Sequence, residues 1–202
     1  MTISTGQHSQ PAAAAPPSRV RVAVISASVR KERMGPAIAR WVVAALDPSI
    51  DADLIDIAEV TLPDDELLCP GGGPKSEVAH RIAAADAYVF VTPEYNHSYP
   101  ASLKRLIDWH YGEWHHKPAT VVAYGVQGGY ATIEHLRGVL AELSVVTTRR
   151  VIGLPAPWRS LDDQGRYAPD TDLSRALAAT LTELRWWAEV LADARRSRPF
   201  PA

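Results

Sequence analysis

The sequence predicts an α/β domain built on a parallel sheet with helices on both faces. Two observations carry the prediction. Short β-branched or strongly apolar runs alternate with segments whose apolar residues recur every three or four positions. The alternation repeats until five strand candidates are on the chain, a pattern that builds parallel sheets through right-handed crossovers.

Val20–Ile25 (VRVAVI) is short, rich in valine and followed by small polar residues, so it reads as a buried strand. Pro36 stands where a helix starts, since proline is tolerated at the first helical position. Ala37, Ile38, Trp41, Val42, Ala45 and Leu46 then form one apolar helical face, and Pro48 ends it. Ala52–Ile57 reads as a second strand, less buried because it carries Asp53 and Asp56. An irregular connection through Leu62-Pro63-Asp64-Asp65 and Cys69–Pro74 leads to a helix over Lys75–Ala85. Ala87–Thr92 (AYVFVT) is a strongly apolar third strand. Ala101–Tyr111 reads as a helix with Leu103, Leu106, Ile107 and His110 inward. Ala119–Tyr124 is the fourth strand, Thr132–Leu143 a helix and Ser144–Ile152 the fifth strand. Asp172–Ala194 is a long last helix, with Asp172 and Ser174 as candidate N-terminal caps.

The chain has 202 residues, 47% hydrophobic and 22% charged, which suits one domain. That domain is expected over 19–195, after a Pro/Ala/Ser/Gln-rich disordered leader, 1–18, and before a short tail, 196–202. Net charge is −2 and no basic stripe is present, which argues against nucleic-acid binding; Arg195, Arg196 and Arg198 read as a solvated tail. No apolar run approaches the roughly 20 residues that span a bilayer, and no secretory signal pattern opens the chain. A single cysteine, Cys69, forms no intrachain disulfide and suits a reducing cytoplasm.

In sheets of this kind ligands sit beyond the carboxyl ends of the strands. Three strand-end loops stand out. The first, Ala27–Pro36 (ASVRKERMGP), opens a helix; Ser28, Arg30 and Arg33 can add contacts to a phosphate held at the helix start, and Gly35 permits close backbone approach. It matches neither GxGxxG nor GxxxxGK[ST], and a solvated basic turn is the alternative. The second, Thr92–Trp109, begins where Pro93 stops a strand; Glu94, Tyr95 and Asn96 then cross the sheet edge. Backbone groups in such a turn can pair with the edge of a heterocycle such as a flavin, or the segment is only a capped strand-to-helix turn. The third, Tyr124–Tyr130, carries three glycines in five residues, which implies unusual dihedrals, close approach to something flat, or a flexible turn.

The stretches ASVRKERMG, PEYNHSYPASLKRLIDW and KPATVVAYGVQGG resemble the NADPH-dependent FMN reductase family of flavodoxin-like proteins, which includes quinone, azo-dye and chromate reductases. In the second stretch Pro93, Glu94, Tyr95, Asn96, Ser98, Pro100, Leu103, Lys104, Ile107, Asp108 and Trp109 all fit the family's pattern. The likeness runs from about Val20 to Ile152. It implies a flavodoxin-like three-layer sandwich whose five-stranded parallel sheet has the order 2-1-3-4-5. It also implies that Ser28, Arg30, Arg33, Met34 and Gly35 hold the FMN phosphate. Pro93, Glu94, Tyr95, Asn96 and His97 would line the ring and ribityl chain, with Gly125, Gln127, Gly128 and Gly129 approaching from the other side. Ala27 departs from the pattern, which has glycine there; alanine fits only at negative φ.

The implied reaction passes a hydride from NADPH or NADH to FMN N5, then two electrons to a quinone-like or other small acceptor. The flavin carries that chemistry, so no catalytic side chain is expected. Arg30, Arg33 and Lys104 are the cations available for an NADPH 2′-phosphate. The family implies a homodimer or homotetramer. The alternatives are a flavin reductase that releases FMNH2 to a monooxygenase, and a non-catalytic flavodoxin-like electron carrier. His110, Glu113, His115 and His116 match no metal motif and read as a surface turn or subunit interface. Trp109 and Trp114 read as core or interface aromatics. Trp186 and Trp187 point about 100° apart on one helix, so one of them is expected against a second subunit.

Overall fold

Residues 19–201 are described by a computed structural model; the leader read at 1–18 lies outside them. Along the chain come β1 (Arg21–Ser26), α1 (Gly35–Ala45), β2 (Asp51–Asp56), α2 (Ala79–Ala84), β3 (Ala87–Pro93), α3 (Ala101–Trp109) and β4 (Pro118–Gly125). There follow α4 (Tyr130–Glu142), β5 (Val146–Thr147), β6 (Ile152–Pro155) and α5 (Thr171–Ser197). The strands run parallel in the order β2-β1-β3-β4-β5, and β6 joins further along the same edge of β4. The winding reverses between β1 and β3, which puts a ligand crevice above their carboxyl ends.

Side chains alternate across a strand, and here the alternation sorts the core into two layers. Ala23 and Ile25 of β1 face Ile82, Leu103, Leu106, Ile133 and Leu136, on the side covered by α2, α3 and α4. Val22 and Val24 face Ile38, Val42, Leu177, Leu181 and Leu184, on the side covered by α1 and α5. Both faces are covered by helices and their apolar side chains are buried, as the apolar runs VRVAVI and AYVFVT require.

Three elements differ from the sequence expectation. The fifth strand is broken in two. Thr147 pairs with Ala119 and Ile152 with Val122, so four residues, 148–151, face two, 120–121, on β4. The surplus forms a bulge, and hydroxyls of Thr148 (2.7 Å) and Thr120 (3.2 Å) both donate to the Arg150 carbonyl within it. The helix expected from Lys75 starts only at Ala79, because the residues before it are held by distant partners. Ser76 Oγ lies 2.7 Å from His110 Nε2, and Glu77 Oε1 accepts from Thr61 N at 2.7 Å. The last helix is capped by Asp170, which accepts from Leu173 N at 2.8 Å, and neither Asp172 nor Ser174 caps it.

That helix also runs to Ser197, and Arg195 is no solvated residue. It donates to Asp86 Oδ1 at 3.0 Å and to the His116 carbonyl at 2.8 Å, tying α5 to the amino end of the sheet. Beside it the buried Lys117 ammonium donates to the Ala83 carbonyl (2.7 Å), the Ile82 carbonyl (3.2 Å) and Tyr88 Oη (3.1 Å). Burial draws the Lys117 pKa down to about 8, with the Arg195 charge adding to the effect.

Trp109 and Trp114 are core residues, as expected. The histidines do not converge. His110 is buried between Ser76 and the Leu106 carbonyl, and that burial holds its pKa low, whereas His116 stacks on Phe200. On α5, Trp187 is half-buried and Trp186 is 57% exposed.

Candidate functional site

The first loop leaves β1 through Ala27, whose N–H donates to the Val91 carbonyl at 2.9 Å. Ala27 is fully buried and has no positive φ, so alanine sits without strain where the resemblance expects glycine. Arg33 then folds back over the loop. Its Nη1 donates to both Asp56 oxygens at 2.7 and 2.8 Å and to the Ser28 carbonyl at 3.1 Å. The guanidinium therefore joins the loop to the end of β2. Arg30 lies over the Tyr95 ring, 3.7 Å from its centroid, and Ser28 Oγ is 2.8 Å from Tyr95 Oη.

The start of α1 is open. Met34, at the cap position, supplies no side-chain acceptor, and no acidic residue occupies the first turn. Among the described residues, the N–H groups of Val29 to Met34 donate to no protein acceptor. Free donors and a helix dipole favour an anion at that point. Gly35 serves the packing of this turn: a Cβ there would stand 2.8 Å from Ser26 Oγ and 3.2 Å from Tyr124 Oη. Those two buried oxygens have no hydrogen-bond partner among the described residues.

The second loop is a tight hairpin. Glu94 N donates to the Tyr124 carbonyl at 2.8 Å, and Tyr95 and Ser98 exchange backbone hydrogen bonds of 2.8 and 3.1 Å. Asn96 (φ 50°) and His97 (φ 68°) fill a two-residue turn with both φ values positive, the type I′ pattern. Their side chains are exposed. Glu94 reaches across to the third loop, where its Oε2 accepts from Ala131 N (3.2 Å) and Thr132 N (3.4 Å). A residue of the second loop thus caps α4.

The glycines of the third loop are required by the protein itself. Gly128 (φ 94°) and Gly129 (φ 79°) are left-handed, and a Cβ on Gly129 would come 2.7 Å from Ala123 Cβ. Gly125 packs on Glu94, where an added Cβ would meet the Glu94 Cβ at 3.3 Å.

Between these loops lies a cleft of about 260 Å³. Of the residues anticipated from sequence, Ser28, Arg30, Arg33, Met34, Pro93, Glu94, Tyr95 and Gly125 line it. Gly35, Asn96, His97, Gln127, Gly128 and Gly129 do not line it; they belong to the same turns but hold their shape or face outward. Glu32, Tyr124, Val126 and Trp158 line it and were not anticipated. Tyr124 closes the fourth strand candidate, so its place at the strand end was available as a signal. Trp158 had none: it follows Ala156 in a left-handed conformation (φ 44°), whose N–H donates to the Gly125 carbonyl at 2.8 Å. Lys104 is paired with Asp108 at 2.7 Å and lines a separate groove between α3 and α4, which leaves it out of this cleft.

The sequence profile described as NADPH-dependent FMN reductase matches residues 20–158. The NAD(P)H-dependent FMN reductase LOT6 of Saccharomyces cerevisiae is 37% identical over 145 residues, 62% of this chain and 76% of that protein. An NADPH:quinone oxidoreductase of Arabidopsis thaliana is 34% identical over 141 residues, 63% of this chain and 70% of that protein. Among solved structures, the flavoenzyme NAD(P)H:(acceptor) oxidoreductase FerB of Paracoccus denitrificans superposes with a TM-score of 0.70 at 25% identity. That alignment covers 85% of this chain and 98% of FerB. With three strand-end loops meeting at one cleft on a flavodoxin-like sheet, the chain belongs to the NADPH-dependent FMN reductase family of FMN-dependent NAD(P)H oxidoreductases.

Proposed function

We propose that the cleft seats FMN, with its phosphate at the start of α1 and its ring between the second and third loops. On this reading the chain moves two electrons from NADPH or NADH to a quinone-like acceptor. The observation that carries the reading is the uncapped first turn of α1, which opens beside Ser28 into a cleft walled by the other two loops.

FMN, when bound, supplies a ring that accepts a hydride and hands on two electrons. The chain's residues bind and orient. Ser28 and the free N–H groups from Val29 to Met34 hold the phosphate, with Arg30 as the nearby cation. The hairpin at Asn96-His97 keeps the Pro93–Tyr95 backbone in place along the ring edge, and Glu94 ties that segment to the opposing loop. Trp158 and Val126 give the cleft an apolar wall suited to a flat acceptor. No general acid or nucleophile is assigned.

Exposed Trp186 on α5 supports a homodimer or homotetramer. Among the described residues no helix is long and apolar enough to cross a membrane, and an exposed free cysteine supports a cytoplasmic location.

Purified protein tests the reading. It is expected to be yellow, to carry one FMN per chain and to oxidise NADPH when a quinone is added. Colourless protein that reduces added FMN would favour the free-flavin reductase that feeds a monooxygenase. Tight FMN binding without NAD(P)H oxidation would leave the electron carrier.

A further inference from the structure

The resemblance puts Tyr95 along the ring and ribityl chain of a flavin, but its side chain lies against the first loop. The hairpin fixes its backbone: Tyr95 N donates to the Ser98 carbonyl at 2.8 Å, and Ser98 N donates to the Tyr95 carbonyl at 3.1 Å. The far end of the side chain is fixed as well, since Tyr95 Oη lies 2.8 Å from Ser28 Oγ, 67 positions back along the chain. A phenol held at both ends is a platform. The Arg30 guanidinium rests on it, 3.7 Å from the ring centroid.

That contact leaves Arg30 free to bind something else. Stacking occupies one face of a guanidinium, whereas its five N–H donors lie in the plane and stay open to an acceptor. Arg30 is exposed and forms no ion pair among the described residues. Arg33, the other guanidinium of the cleft, is spent on Asp56 and the Ser28 carbonyl. An unsupported surface arginine samples many rotamers, and ordering it on binding costs affinity. The Tyr95 ring orders it before a ligand arrives. Beside it stand Ser28 and the open N–H groups from Val29 to Met34 at the start of α1. A ligand group that suits a planar cation and a helix start together is a phosphate monoester.

We propose that Tyr95 is a positioning residue whose ring holds the Arg30 guanidinium ready for the phosphate of the flavin nucleotide, and that through Arg30 it favours FMN over riboflavin. The assignment rests on the reading of the cleft as an FMN site. On that reading Tyr95 has two duties: its backbone borders the flavin ring, and its side chain serves the phosphate end.

The test is a set of flavin-fluorescence titrations, which need no turnover, on Tyr95→Leu, Tyr95→Phe, Arg30→Ala and the double variant Arg30→Ala/Tyr95→Leu. Tyr95→Leu removes the platform, and FMN affinity is expected to fall about tenfold with riboflavin affinity unchanged. Tyr95→Phe keeps the stacking face and is expected to retain most of the FMN affinity. With Arg30 already replaced by alanine, Tyr95→Leu is expected to cost nothing further, because the ring acts through the guanidinium. Losses that add in the double variant overturn the assignment. So do equal losses for FMN and riboflavin, which would mean that the ring serves the isoalloxazine or the fold. A Tyr95→Phe loss as large as that of Tyr95→Leu also overturns it, since the hydroxyl and not the stack would then matter. Each of these results leaves the FMN reading in place. Wild-type protein that binds neither flavin overturns the FMN reading, and the assignment falls with it.

Discussion

Arg33 distinguishes two accounts of the first loop, which is proposed to hold the FMN phosphate. In one it touches the phosphate; in the other it holds the loop in shape through Asp56. Its side chain is 15% exposed and that of Asp56 is 20% exposed, and one nitrogen donates to both carboxylate oxygens at 2.7 and 2.8 Å. Exposed ion pairs contribute about 0–1 kcal/mol, whereas breaking a buried pair costs about 3–5 kcal/mol. This pair lies between those limits, so a coupling energy of about 2 kcal/mol is expected. The measurement is a double-mutant cycle of Arg33→Ala and Asp56→Ala, followed by urea unfolding of the flavin-free protein. FMN affinity is titrated on the same four proteins. If Arg33 braces the loop, each single change weakens FMN binding and the double change is little worse than either. Were Arg33 a phosphate ligand, Asp56→Ala would free the guanidinium and leave FMN binding unchanged or stronger. That result, or a coupling energy near zero, would refute the brace.

Two further outcomes follow from the same geometry. Glu94→Ala removes the carboxylate that accepts from Ala131 N and Thr132 N, so the protein should lose about 1 kcal/mol by urea unfolding; Glu94→Gln, which keeps an acceptor oxygen, should recover part of it. Lys117, with a pKa of about 8 when folded against a usual 10.5, binds its proton more weakly in the native state than in the unfolded chain. The unfolded state therefore holds more protons between those values, and the lysine's contribution to stability rises with pH across that window. At about 1.4 kcal/mol per pH unit the full rise is about 3 kcal/mol. Urea unfolding between pH 7.5 and 9.5 should show wild type gaining on Lys117→Met as pH increases; a gap moving the other way would contradict the burial argument.

Much of the architecture was legible because it is encoded in short stretches. Strands such as AYVFVT are apolar throughout because both their faces are covered, and that shows without knowing what covers them. The three strand-end loops were visible for a similar reason: Pro93, Pro100 and the glycines of Gly125–Gly129 mark where regular structure must stop. The residues that miss the cleft, Asn96, His97, Gln127, Gly128 and Gly129, occupy those turns, and composition alone does not separate a residue that shapes a turn from one that faces a ligand.

The side-chain partners were not legible. Asp56 reaches Arg33 only because β2 lies beside β1. Glu94 caps a helix that begins 36 positions further on because β3 and β4 are neighbours. Arg195 looked like part of a solvated tail until α5 laid it beside Asp86, 109 positions away. The sequence by itself determined the order of strands and helices, the buried runs and the three loops that form the cleft. Tertiary structure decided which charges are spent inside the protein, which glycines serve packing, and that Tyr124 and Trp158 join the site. The physical reason is that periodicity and turn chemistry act over a few residues, whereas a hydrogen bond or ion pair is chosen by which strand ends the sheet brings side by side.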